Sequence, residues 1–278
     1  MAHPVEHNLD HRALPDIARP GFGHRREREA FDRARLILRR AGLIDDTTYL
    51  QLVMKTVNQV QQTPGQQVQT AAQASFDAWM KYYRIHENTP NATVSYYTKG
   101  ALVAMCFDLT LRAEGHSNLD EVMRELWLSC QGGPMREADF ARALKRLGGR
   151  AFDRELRDWV HGTGDLPVLD LLAPQGAKVN QDKAPLAQQL GLRVGESGGL
   201  TLKNVLRGGA AEAAGMAAGD EWLALEADGP QGLQTWRVRA TSARVNRSLA
   251  FSASGCSADE GTGLNICNVT GPPPRVEA

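Results

Sequence analysis

Hydrophobic positions recur at helical spacing through the first two thirds of the chain and at strand spacing after it. Tyr49, Leu50, Val53, Met54, Val57 and Val60 share one face of a helix that starts at a cap-like Asp46 or Thr47 and stops at Pro64-Gly65. Thr70–Tyr83 predicts a second helix, carrying Phe76, Trp79 and Tyr83. After the polar loop RIHENTPNATVS, a helix that is apolar almost all round runs from about Tyr97 to Glu114, and Gly115 stops it. Asn118 is placed to cap LDEVMRELW, with Glu121 in capping-box position. Ala138–Leu147 and Asp153–Val160 give two shorter helices. Residues 36–175 therefore predict an all-helical domain.

Residues 176–185 read as a linker. Beyond it, LRV, LTLKNV and EWLALEA alternate at strand spacing with glycines between them, and Ala210–Ala214 is one short helix. This predicts a small β domain over 186–230. Residues 231–278 hold only strand-like scraps and a Pro-Pro-Pro run, which predicts a poorly ordered tail. The expected fold class is multi-domain α plus β.

Composition narrows the function classes. The chain has 278 residues, 42% apolar and 23% charged, with 32 basic and 32 acidic side chains. That balance gives no overall field towards nucleic acid or membrane. No run reaches the ~20 apolar residues that span a bilayer, and the N-terminus lacks the apolar core of a secretory signal. A cytoplasmic location is expected. Cys106, Cys130, Cys256 and Cys267 form no CxxC pair, so no cysteine zinc cluster is suggested. Residues 1–35 are atypical: they hold four of the seven histidines, and nine arginines lie between Arg12 and Arg40. Acidic Asp10, Asp16, Glu27, Glu29 and Asp32 interleave with them and dilute any nucleic-acid-binding field.

Two stretches carry resemblances. Leu190-Gly191-Leu192 and RGGAAEAAGMAAGDEWLALEADG at 207–229 resemble a PDZ domain of the kind attached to peptidases. Ala211 and Ala214 suit a helix packed close to a sheet, and Gly215 suits a left-handed helix end. The resemblance implies that backbone amides near Leu190, Gly191 and Leu192 hold a peptide carboxylate beside an added strand. It stops after Gly229, so the helix forming the other wall of the groove is not legible. LILRRAGLIDDTTYLQL, TPGQQVQTAAQASFDAWMKYYR, ENTPNATVSYYTKGALVAMCFDLTLR and SNLDEVMRELW together resemble the glycyl aminopeptidase family of gluzincin zinc metallopeptidases, which ends in a PDZ domain.

That family likeness implies a zinc-dependent aminopeptidase that removes small N-terminal residues, glycine or alanine, from peptides or protein termini. It also implies a role for Tyr97-Thr98-Lys99-Gly100. In such enzymes a Tyr-x-Lys-Gly helix start lies beside the zinc, and its tyrosine donates a hydrogen bond to the oxyanion. A phenol with pKa ~10 is a neutral donor of the kind this needs. Gly100 is expected to let a neighbouring backbone approach closely. On the residues alone, Tyr96 and Tyr97 equally read as a plug at the top of the helical domain.

The metal half of such a site is not legible. No H-E-x-x-H occurs in the chain, so zinc is expected from the family with no ligands identifiable here. His3-Pro4-Val5-Glu6-His7 has inverted spacing but holds a proline, and His7 and His11 lie four apart before Pro15. Glu27 and Glu29 stand near the place of a third ligand, in a run that reads as a solvated charged helix. His86, His116 and His161 read as surface or loop histidines. The likeness begins abruptly near Leu36 and fades after Gly229, so the chain is expected to be truncated or frame-altered at both ends, and impaired or inactive. A different class stays open beside it, a non-catalytic peptide-binding protein using the PDZ-like module. The sequence sets no oligomeric state.

Overall fold

The computed structural model describes residues 36–131, 133–177, 184–196, 199–228, 235–242 and 245–252, with side chains described as far as Trp222. Two compact units emerge. One takes the chain up to Ile85 and Ala92–Val179; the other takes His86–Asn91 and the chain from Asn180 onwards. Among the described residues, no helix is long and apolar enough to cross a membrane.

The helical unit is built from α1 (Asp46–Gln61), α2 (Ala71–Phe76), α3 (Tyr96–Ala113), α4 (Leu119–Cys130), α5 (Glu137–Gly148) and α6 (Val168–Leu172). Caps fix their starts. Asp45, one residue before the expected cap, accepts from the Thr48 amide at 2.7 Å and satisfies a first-turn donor. Thr70 and Gln73 close a capping box at α2. Asn118 caps α4 as expected, whereas the Glu121 carboxylate accepts from the Ser117 hydroxyl at 2.6 Å. Gly115 and Gly149 leave α3 and α5 at φ +72°, the left-handed helix end.

α3 is the central element. Its Val103, Phe107 and Leu111 enter a core with Val122, Leu126, Phe140, Leu144 and Phe152. Its Leu102 and Cys106 enter a second core with Val53, Val57, Val60, Ala74 and Val168. Two cores on two sides explain why α3 is apolar almost all round. Phe107 packs edge-on to Phe140 at 5.5 Å and to Trp159 at 4.9 Å, preferred aromatic geometries. Burial pushes the Cys106 thiol up to about 12, so it behaves as a small core residue.

The second predicted helix does not run unbroken to Tyr83. After α2 the chain widens into a π-turn, Ala78–Tyr82, and Leu156–Val160 does the same after Asp153–Glu155. Phe76, Trp79 and Met80 are exposed rather than core.

The sheet unit is an antiparallel meander in the order β1-β2-β3-β4-β5: Leu192–Glu196, Leu200–Val205, Glu221–Asp228, Thr235–Ser242 and Val245–Ser252. The last two pair residue for residue from Thr235↔Ser252 to Ser242↔Val245, in a region whose sequence pattern offers only scraps. Leu190, Leu192, Leu202, Ala211 and Met216 form its core. Residues 86–91, part of the polar loop in the sequence, group with this unit. The buried Asn91 amide donates to the Val205 carbonyl at 2.8 Å and accepts from the Arg207 amide at 2.8 Å, and Asn204 donates to the Glu87 carbonyl at 2.7 Å.

Candidate functional site

Tyr97 is the second residue of α3, one turn before Gly100 on the same helix face. Ser95 caps the helix by accepting from the Thr98 amide at 3.4 Å. The positive end of an 18-residue helix dipole therefore lies beside the phenol, a setting that favours negative charge. Gly100 does not receive a neighbouring backbone: a Cβ there would meet nothing within 4 Å. The close approach expected of it occurs at Gly65, where a Cβ would run into the Thr93 backbone.

A cluster of aromatic rings surrounds Tyr97. The Tyr83 hydroxyl lies 3.0 Å from the Tyr97 hydroxyl and 3.1 Å from that of Tyr96. The Tyr96 and Tyr97 rings stand 4.1 Å apart, tilted by 32°. Trp79 stacks on Tyr83 at 4.9 Å, and Tyr82 meets Tyr83 and Tyr96 edge-on. Burial, followed by hydrogen bonding to Tyr83 and Tyr97, pushes the Tyr96 phenol far above the usual tyrosine range. It stays neutral and keeps its proton.

Beneath the phenols lies Lys99, fully buried. Its ammonium sits 3.5 Å from the Gln66 carbonyl and 3.4 Å from that of Gly162. The Gln66 side chain donates to Asp165 at 3.0 Å. Burial pushes the lysine below its ordinary range, and the Asp165 charge pulls part of the way back. Lys99 thus links the first turn of α3 to the turn after α1 and to the segment before α6. The Tyr-x-Lys-Gly motif pointed to Lys99 without a task for it, and Tyr83 carried no signal beyond being aromatic.

In the sheet unit, the residues expected to take a peptide end are mostly committed to the fold. Leu190 and Leu192 are buried in the core. The Gly191 amide donates to the Gln188 carbonyl at 3.0 Å, and its carbonyl accepts from the Leu206 amide at 2.7 Å. Gly191 sits at φ +72°, and a Cβ there would meet the Gly209 Cα at 2.9 Å. β1 is an outer strand of the sheet as described.

Among the described residues, no group of three or more His, Cys, Asp or Glu side chains could hold a metal ion. The donors among the described residues do not fit zinc. His3, Glu6, His7, His11, Glu27, Glu29, Cys256 and Cys267 lie outside the described residues. Two of the remaining histidines have partners the sequence did not suggest. His161 Nε2 lies 2.8 Å from Glu137, beside a cavity of about 430 Å³ that Asp153, Leu156 and Arg157 also line. His86 Nδ1 accepts from the Asn88 amide at 3.2 Å.

Residues 33–103 match the model of the M61 glycyl aminopeptidases. That span holds α1, α2, the π-turn and the whole tyrosine–lysine cluster. Over that span the chain is similar to the glycyl aminopeptidases. A crystal structure of an aminopeptidase N family protein from Idiomarina loihiensis is similar over 78% of this chain, at 28% identity and a TM-score of 0.68. The chain spans 42% of the length of that protein. No curated protein matches. The part of this chain most like the glycyl aminopeptidases is therefore the part that positions Tyr97.

Proposed function

We propose that the chain is an aminopeptidase-type protein acting on peptides with small N-terminal residues, glycine or alanine, and that Tyr97 is its oxyanion donor. The observation that carries this is the Tyr97 phenol at the N-terminus of α3, one turn from the open space beside Gly100. When water attacks a peptide carbonyl, the oxygen gains negative charge. A neutral phenol at a helix N-terminus is a preorganised donor for that charge. The open face at Gly100 gives a substrate backbone room to lie next to the phenol. The family likeness implies zinc, but the described residues offer it no site. Because the chain carries no H-E-x-x-H, its rate is expected to fall far below that of a complete metalloenzyme.

The activity class is tested with glycyl and alanyl p-nitroanilides against their N-acetylated forms, at high protein concentration. Release of p-nitroaniline from the free amines and not from the acetylated compounds is the expected result. Equal rates on both, or no release from either, would overturn the reading.

A second reading rests on β1 as an outer strand. The run through Leu190, Gly191 and Leu192 is PDZ-like, and an outer strand can accept an extended peptide by backbone pairing. The Gly191 amide is already engaged, so pairing along β1 would have to supply the affinity. Binding of a labelled peptide that survives Tyr97→Phe and metal chelation would favour this function over hydrolysis.

A further inference from the structure

α2 and the π-turn after it bury their small residues and show their large ones. Ala74 and Ala78 are 1% and 4% exposed, whereas Phe76, Trp79 and Met80 are 68%, 74% and 73% exposed. Packing alone favours the opposite arrangement, because a large apolar side chain left in water forgoes the gain of its burial. The turn is anchored from behind. Asp77, at its start, accepts from Lys81 at 2.5 Å and from Gln69 at 3.2 Å, and the Thr93 hydroxyl donates to the Gln69 side-chain oxygen. The Tyr83 amide closes it by donating to the Ala78 carbonyl at 2.9 Å. The Trp79 ring lies 4.9 Å from the Tyr83 ring, tilted by 31°, and the Tyr83 hydroxyl lies 3.0 Å from the Tyr97 hydroxyl. Trp79 is thus one ring removed from Tyr97, and its exposed face continues the mouth of α3 outwards. Clustered apolar surface of this kind marks a binding surface.

We propose that Trp79 and Met80 form a shelf for an apolar side chain on the second residue of the peptide, so that the favoured substrates carry a small first residue and a leucine-like or aromatic second one. This rests on the reading of Tyr97 as the carbonyl donor and names the substrate class of that site. The occupant follows from the substrate. A glycine or alanine at the N-terminus offers almost no apolar surface, so the binding energy has to come from residues further along the peptide. Extended peptide advances about 3.3 Å per residue, with side chains alternating between its faces. A side chain just beyond the scissile bond therefore reaches a ring one step from Tyr97. Trp79 and Met80 determine specificity here and are not catalytic residues.

The test measures binding of two tetrapeptides to the full chain by fluorescence anisotropy, Gly-Leu-Ser-Lys and Gly-Ser-Ser-Lys, each with fluorescein on the lysine. The leucine peptide is expected to bind roughly 10-fold more tightly, the gain from burying much of one leucine side chain. Trp79→Ser and Met80→Ser, with circular dichroism matched to the parent, are expected to remove most of that preference. Trp127→Ser, which changes an exposed tryptophan on α4, is expected to leave it intact. Equal affinity of the parent for the two peptides, binding of neither, or a preference that survives both shelf variants would overturn the proposal. A parent that sediments as a dimer and becomes a monomer in Trp79→Ser would give the shelf to a second copy of the chain and overturn it too. Binding does not depend on turnover. A leucine preference in a chain that releases no p-nitroaniline would leave the shelf standing and remove the aminopeptidase reading; release without a leucine preference would do the reverse.

Discussion

A methyl group added at Gly191 in the sheet unit would meet the Gly209 Cα at 2.9 Å on a backbone with φ +72°; one added at Gly100 in the helical unit would meet nothing within 4 Å. Both glycines belong to motifs that stand out in the sequence. One is required by the fold and the other is not. At Gly191 the chain turns into β1 while the amide and carbonyl are consumed internally, which is the signature of a packing constraint. At Gly100 the helix keeps a gap beside Tyr97 that no described neighbour fills. A glycine that costs helix stability and touches nothing is better explained by what comes and goes than by what is packed there. The difference places the chemical interest at the α3 mouth and the structural interest at the β1 turn.

The sharpest way to break that contrast is Gly191→Val. It forces a β-branched residue into the left-handed region and against Gly209, an expected cost of about 2–4 kcal/mol. Hydrogen exchange read by mass spectrometry should show lost protection at residues 186–206. Unchanged protection there would mean that the turn is not the constraint argued here.

Lys99 gives the next effect. Its pKa in the folded state lies below its unfolded value, so between the two the unfolded chain binds more protons and stability rises with pH. Denaturant midpoints of the helical unit should climb as pH approaches about 10.4, the ordinary lysine value. Lys99→Met should flatten that slope, because it removes the titrating group and keeps the volume. A slope equally steep in the variant would show that Lys99 is not its source.

The smallest effect is Gly100→Ala. Alanine is better than glycine inside a helix, so the variant should gain about 0.5–1 kcal/mol, read as a higher midpoint. If the gap serves a substrate backbone, hydrolysis should fall while stability rises. A loss of stability would mean that something packs against Gly100 after all.

Much of the fold was legible from spacing and caps. Helix starts at Thr70 and Asn118, stops at Gly115 and Gly215, and the strands LTLKNV and EWLALEA follow from rules that act over three or four residues. Longer-range effects were not legible. The local pattern did not mark the π-turns at Ala78–Tyr82 and Leu156–Val160, and Phe76 and Trp79 are exposed although both are apolar. The grouping of residues 86–91 with the sheet involves two side-chain amides, Asn91 and Asn204, that reach backbone carbonyls 114 and 117 residues away. The site divided in the same way. Tyr97 was visible because its motif is contiguous, whereas Tyr83, Gln66, Gly162 and Asp165 reach the cluster from other turns.

The most direct test of the account compares initial hydrolysis rates of glycyl p-nitroanilide by the parent chain and by Tyr97→Phe, with matched circular dichroism. Removing one preorganised oxyanion donor is expected to lower kcat by about 10²- to 10³-fold. Rates within twofold of each other would contradict the assignment of Tyr97 as the residue that faces the carbonyl.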